Sequence, residues 1–163
     1  MNDAATAPTR ASVVALVGAP NAGKSTLVNA LVGAKVSIVS SKAQTTRARV
    51  MGVRMVGRAQ LVLVDTPGIF QPRRRLDRAM VNSAWTGAED ADALCLVYDA
   101  SKGQPEGFDA LVEKLKHRPA RRILVLNKVD TAKRMRLLEL ASRLNGRLEF
   151  AHTFMVSALT NDG

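Results

Sequence analysis

The sequence lacks most of the features that mark specialised chains. It contains one cysteine, Cys95, in 163 residues, which excludes a disulfide scaffold and points to a small buried thiol. Aromatics are scarce too, with four Phe, one Tyr and one Trp, so aliphatic residues must fill the core. No apolar run reaches the roughly 18 residues a membrane-spanning helix needs. The first ten residues have neither the basic start and apolar stretch of a secretory signal nor the arginines of a transit peptide, which predicts a cytoplasmic protein. His117 and His152 have no Cys, His or carboxylate cluster near them in the sequence, so no zinc site is expected. Acidic residues are deficient on one side only. Residues 1–78 hold 12 Lys/Arg against 3 Asp/Glu, and residues 79–163 hold 12 against 11. A basic first half suits a polyanionic partner (nucleotide, RNA or an anionic membrane surface) or forms a solvated basic face.

What remains is ordinary globular composition, 47% hydrophobic and 23% charged, at the length of one domain. An Ala/Thr-rich tail is expected over residues 1–11, and a folded domain over 12–163. Val13–Val17 is a continuous apolar run that suits a strand buried on both faces. A helix is predicted over Lys24–Val32, stopped by Gly33. The basic polar segment Lys35–Arg49 follows. Val50–Val56 and Gln60–Val64, joined near Gly57 and Arg58, read as an antiparallel hairpin. Gly68–Arg75 reads as a loop and Leu76–Ala88 as a helix, with Trp85 in packing. Then come strand Ala93–Tyr98, helix Glu106–His117, strand Ile123–Leu126, helix Thr131–Leu144 and strand Glu149–Val156. Leu137, Leu138, Leu140 and Leu144 are expected in the core. This alternation predicts an α/β fold, a mostly parallel six-stranded sheet with helices on both faces. Asn161-Asp162-Gly163 is expected to open one more helix, so the domain is expected to be incomplete at its C-terminus.

Gly18-Ala19-Pro20-Asn21-Ala22-Gly23-Lys24-Ser25 fits the phosphate-loop pattern, and it lies between a predicted strand and a predicted helix. The glycines let several backbone N–H groups converge on phosphate oxygens, and the helix N-terminus adds positive potential. Lys24 is expected to reach the β- and γ-phosphates, and the Ser25 hydroxyl to bind Mg²⁺. Asp65-Thr66-Pro67-Gly68 ends the second hairpin strand. In this class such an Asp holds Mg²⁺ and the Gly N–H meets the γ-phosphate.

Asn127-Lys128-Val129-Asp130 leaves the strand Ile123–Leu126 at the sheet end where open α/β folds bind ligands. The Asp130 carboxylate accepts from both the ring N–H and the exocyclic amine of guanine, a donor pair that adenine lacks. The Lys128 stem is expected to cover a base face, and Asn127 to tie this loop to the phosphate loop. Ser157-Ala158-Leu159 is expected to supply a backbone N–H to the guanine oxygen, with Ser157 bracing the loop. Together these motifs predict a P-loop fold that binds GTP and GDP.

The ordered motifs resemble those of the translation-factor-related GTPases. Within them, Ser41-Lys42-Ala43-Gln44-Thr45-Thr46-Arg47, and Pro67-Gly68-Ile69-Phe70 through Arg73-Arg74-Arg75-Leu76-Asp77, resemble the two switch segments of the Era family of ribosome-assembly GTPases. The resemblance covers about Ser12 to Asp162. It implies that Thr45 or Thr46, with Thr46 preferred, contacts Mg²⁺ and senses the γ-phosphate. It also implies a KH RNA-binding domain in the whole protein, none of which lies in this chain. The implied partners are small-subunit ribosomal RNA and the ribosome, with peripheral contact at the inner face of the cell membrane and a monomeric state.

Ras- and Gα-type GTPases orient the attacking water with a glutamine near the second switch. Here Ile69 follows Asp-Thr-Pro-Gly and cannot bond to water. Arg47 and Arg73 to Arg75 lie near the site but read as a face for rRNA phosphates. In related GTPases without the glutamine, an Asn at the Asn21 position helps hold a monovalent cation, which makes K⁺ a candidate cofactor beside Mg²⁺. Stiffening of the loop is the alternative role for Asn21. Three functions are compatible with the motifs: a slow GTP-hydrolysing assembly switch, a nucleotide-gated scaffold with little turnover, and a tRNA-modification relative, which Lys-Ala-Gln-Thr-Thr-Arg disfavours.

Overall fold

The run Val13–Val17 forms the heart of a sheet. A computed structural model describes residues 9–39, 50–68, 82, 85, 86 and 88–163. In chain order its elements are β1 (Arg10–Val17), α1 (Lys24–Val32), β2 (Val50–Val56), β3 (Ala59–Asp65), β4 (Ala93–Asp99), α2 (Phe108–Lys116), β5 (Arg121–Asn127), α3 (Arg134–Arg147) and β6 (His152–Val156). The described residues build one six-stranded sheet in the order β2-β3-β1-β4-β5-β6. All neighbours are parallel except the β2–β3 hairpin. Parallel neighbours need crossovers, and the crossover helices cover both faces. Leu27 and Val28 of α1 pack with Leu16, Leu63, Cys95 and Val97 on one face. On the other, Leu111 and Leu115 of α2, Leu140 and Leu144 of α3, and Trp85 pack with Ala15, Val17, Leu94 and Leu96.

The strands match the apolar runs closely, and the boundaries differ where pairing or turns override pattern. β1 starts at Arg10, because Arg10 and Ala11 pair with Ala59 and Gln60, so the expected tail loses its last two residues to the sheet. Gly107, left-handed at φ 78°, delays α2 to Phe108. Thr131 N and Ala132 N donate to Lys128 O and Val129 O, and this turn holds α3 back to Arg134. Leu148 N then closes onto Leu144 O and Ala151 N onto Arg122 O, which shortens β6 to His152–Val156. Leu138 is 73% exposed, unlike Leu137, Leu140 and Leu144, since it points away from the buried stripe of α3. Asp162 pairs with Ser157 in an antiparallel bridge just after β6. Beyond Gly68, the expected loop and most of the helix to Ala88 lie outside the described residues, although Asn82, Trp85, Thr86 and Ala88 are helical.

Local chemistry fixes these elements. Gly33 at φ 77° ends α1 and donates to Asn29 O. Gly52 lies in β2 because a Cβ there would stand 2.6 Å from Val32 Cγ2. α2 carries Asp109 in its first turn and Lys114 and Lys116 in its last, the charge order a helix dipole favours. Arg122 of β5 donates to Leu115 O and Arg118 O, at 3.1 Å each, and satisfies carbonyls at the end of α2. Cys95 is buried, and burial pushes its thiol up to about 12, so it is an inert core residue as expected.

Candidate nucleotide-binding site

The strand order places the carboxyl ends of β3, β1, β4, β5 and β6 side by side, and every described site motif sits at one of those ends. The phosphate loop leaves β1 through Gly18, whose φ of 152° and 2.3 Å clearance from Val97 O for a Cβ exclude any side chain. It enters α1 through Gly23, left-handed at φ 97°, where a Cβ would lie 2.1 Å from Asn127 Nδ2. Gly23 provides no side-chain cap, so the first-turn N–H groups of α1 are not occupied by one. Helix N-termini with this arrangement bind phosphate and other anions.

Lys24 is 6% exposed and folds back over the loop, donating to Gly18 O at 3.2 Å and Ala19 O at 2.9 Å. Burial pulls its ammonium down to about 8, against the opposing pull of the Asp65 charge. Ser25 Oγ donates to Asp65 Oδ2 at 2.6 Å, and Asp65 is fully buried. A hydroxyl and a carboxylate brought this close form the hard oxygen set that Mg²⁺ prefers, so these residues fit that ion. Thr66 Oγ1 donates to Leu16 O at 2.6 Å and pins the turn after β3 to β1. A Cβ on Gly68 would stand 2.7 Å from Pro20 Cα, so Asp-Thr-Pro-Gly lies directly against the phosphate loop. Ala22 is 1% exposed and packs with Leu27 and Ala158 in the core on the α1 side of the sheet.

The base-recognition motifs meet the phosphate loop through two side chains. Asn127, 2% exposed, donates from Nδ2 to Ala22 O at 3.0 Å and accepts at Oδ1 from Ala158 N at 3.0 Å. It therefore ties the phosphate loop to the Ser157-Ala158-Leu159 loop as well as to its own. Lys128, left-handed at φ 67°, donates from Nζ to Asn21 O at 2.7 Å and to Asp99 Oδ2 at 2.6 Å. Val129 N bonds Val156 O, joining the motif to the end of β6. Ser157 is fully buried and braces its loop as expected, its Oγ accepting from Thr160 N and its backbone pairing with Asp162. Asp130 is exposed, and its carboxylate accepts no hydrogen bond among the described residues. Leu159 is 78% exposed. Thr45, Thr46 and Ile69 lie outside the described residues.

Sequence reasoning missed Asp99, which ends β4 and pairs with Lys128. Its signal was an acidic residue closing a fully apolar strand at the ligand-binding end of the sheet. Burial alone would push the Asp99 carboxyl up, but hydrogen bonds from Lys128 and Ser101 outweigh it and hold it below the ordinary Asp value. Among the described residues, no helix is long and apolar enough to cross a membrane.

Residues 13–128 match the model of a family described as 50S ribosome-binding GTPase. GTPase Era from Afipia carboxidovorans is 58% identical over 156 residues, which cover 96% of this chain and 51% of that protein. The chain thus spans about half the length of the curated relatives it matches. A crystal structure of Era in complex with MgGDPNP and nucleotides 1506–1542 of 16S ribosomal RNA superposes with a TM-score of 0.87 at 37% identity, covering 95% of this chain and 53% of that one. An Era variant from Aquifex aeolicus bound to GDP and AlF₄⁻ superposes at 0.83, also 37% identical, covering 94% and 53%. The chain belongs to the family of 50S ribosome-binding GTPases, and within it this domain is similar to GTPase Era along nearly its whole length.

Proposed function

We propose that this domain binds GTP and GDP with Mg²⁺, hydrolyses GTP slowly, and serves as the switch of a protein that assembles the small ribosomal subunit through its rRNA. The observation that carries this reading is the convergence of Lys24, Ser25, Asp65 and Asn127–Asp130 at one sheet edge, in a chain 58% identical to an Era GTPase. Gly18 to Ser25 cradle the phosphates, with Lys24 exchanging its two carbonyl partners for phosphate oxygens. Ser25, Asp65 and Thr46 would hold Mg²⁺, which when bound neutralises phosphate charge. Thr45, Thr46, Thr66, Pro67, Gly68 and Ile69 form the γ-phosphate-sensing switch surfaces. Asp130 reads guanine, Lys128 covers its face, and a backbone N–H of the Ser157-Ala158-Leu159 loop meets its oxygen. Ala158 N already donates to Asn127, so Leu159 N is the free donor for that contact.

A Mg²⁺-nucleotide and a 16S rRNA segment are bound by the solved Era complex, which supports the same partners here. The basic first half of the chain supports a polyanion partner and a cytoplasmic protein with peripheral contact at an anionic membrane. Residues 10–163 belong to the GTPase unit of this protein, a monomer that works beside an RNA-binding KH domain in the complete protein. Asn21 would help hold K⁺, which would supply the charge of an arginine finger, since Ile69 supplies neither charge nor water orientation. The decisive experiment is single-turnover phosphate release from GTP with Mg²⁺, in K⁺ and in Na⁺ at equal ionic strength. Release in both salts, faster in K⁺ and equalised by Asn21→Ala, is the expected result. Tight GTP binding with no phosphate release would favour the scaffold function. Equal rates in both salts would remove K⁺ alone.

A further inference from the structure

We infer that Asp99 is a positioning residue for nucleotide binding: it holds the Lys128 ammonium against the phosphate loop, so that the base loop and the phosphate loop act as one rigid clamp. The inference rests on the guanine-nucleotide reading above and adds a residue to it. The Asp99 carboxylate uses both oxygens. Oδ2 accepts from Lys128 Nζ at 2.6 Å, and Oδ1 accepts from Ser101 N at 3.0 Å and Ser101 Oγ at 2.5 Å. The turn carrying it is itself tied to β5, since Ala100 N donates to Asn127 O at 2.9 Å. The acceptor is therefore fixed in direction before Lys128 meets it. Lys128 spends a second proton on Asn21 O at 2.7 Å. Three segments, the ends of β4 and β5 and the crown of the phosphate loop, thus meet at one ammonium group.

The electrostatics favour a role beyond packing. The Lys128 side chain is 32% exposed and that of Asp99 only 13%. An ammonium drawn this far from water needs an anion, and a lone carbonyl such as Asn21 O does not offset its lost hydration. Without the Asp99 charge the cation turns to solvent, and two things go with it. The Lys128 stem leaves the face it would offer to the base, and Asn21, left-handed at φ 61°, loses the bond that orients its carbonyl. Both losses concern parts of the nucleotide that GDP and GTP share. The predicted signature is an equal loss for both, unlike that of any γ-phosphate contact.

Asp99→Asn keeps the size of the residue and its acceptor for Ser101, and replaces the charged oxygen that faces Lys128 with a neutral amide N–H₂. Lys128→Met keeps an apolar stem and removes the ammonium. GDP and a non-hydrolysable GTP analogue are titrated calorimetrically into wild type, both single variants and the double variant, with thermal melting of each free protein as a control. Asp99→Asn should weaken both nucleotides equally, by about tenfold, which corresponds to roughly 1.4 kcal/mol. In the Lys128→Met background the same change should cost less than about twofold, because the interaction it removes is already gone. A tenfold loss that persists without Lys128, or no loss in Asp99→Asn, overturns the inference while wild type still binds. Wild type without affinity for GDP overturns the guanine-nucleotide reading and the inference together.

Discussion

The phosphate half and the base half of the site are prepared in opposite ways. In the phosphate half, the groups expected to touch ligand are engaged with the protein. Lys24 is folded onto Gly18 O and Ala19 O, and Ser25 onto Asp65. In the base half, the bonded groups are scaffold: Asn127, Lys128 and Ser157 link loops to one another, while the reader Asp130 stands exposed. In the proposed function, one half would exchange internal hydrogen bonds for ligand bonds, and the other would receive its ligand on a surface already set. The difference follows from solvation. A buried ammonium and a buried carboxylate need partners at all times, whereas an exposed carboxylate keeps water until a base displaces it.

The sharpest way to break this comparison is to change the exposed reader. Asp130→Asn should weaken GTP by about a hundredfold or more, because a buried donor of guanine is left unpaired, and should shift preference to xanthosine triphosphate. Competition titration with the two triphosphates measures this directly, and an unchanged preference for GTP would mean that Asp130 does not read the base. If the base half is preformed, the melting temperature of the free variant stays near that of wild type.

A smaller effect tests the phosphate half through pH. In the free domain Lys24 loses its proton above about 8, while bound phosphates favour the charged form. GDP binding measured without Mg²⁺ should therefore take up close to one proton at pH 9, and affinity should fall about tenfold between pH 7 and pH 9. Titrations in buffers of different ionisation enthalpy count that proton; an uptake near zero would refute the linkage. The same lowered value means that the unfolded chain binds more protons between about 8 and 10.5, so the contribution of Lys24 to stability rises with pH across that window.

Within the phosphate half, Thr46→Ala should weaken a GTP analogue by about five- to tenfold and leave GDP nearly unchanged, since only the triphosphate has a γ-phosphate to meet. Equal losses for both nucleotides would dismiss Thr46 as the sensor. The smallest expected effect is structural. Thr66→Val removes the buried bond to Leu16 O and should cost about 1 kcal/mol in denaturant unfolding of the free domain.

Much of this was legible without coordinates. The run Val13–Val17, the hairpin at Gly57 and Arg58 and the Gly33 stop are written in local pattern, and the structure places each within a few residues of expectation. Helical spacing locates the buried stripe of α3 but not its edges, and Leu138, 73% exposed, falls outside it. Asp99 was passed over because an isolated Asp has no motif. Its role exists only once β4 lies beside β5.

What local sequence carries is the chemistry of the proposed function: a glycine loop able to bend around phosphate, a Lys-Ser pair suited to phosphate and Mg²⁺, and an Asp with the acceptors guanine needs. Those properties belong to residue types at short spacings, where backbone geometry alone constrains them. Tertiary structure decided the meeting. Asn127 lies 105 positions from Ala22, and Lys128 lies 107 from Asn21 and 29 from Asp99. These partners touch because the sheet order puts β1, β4 and β5 side by side, and strand order is fixed by burial of the whole apolar core, which no local segment encodes.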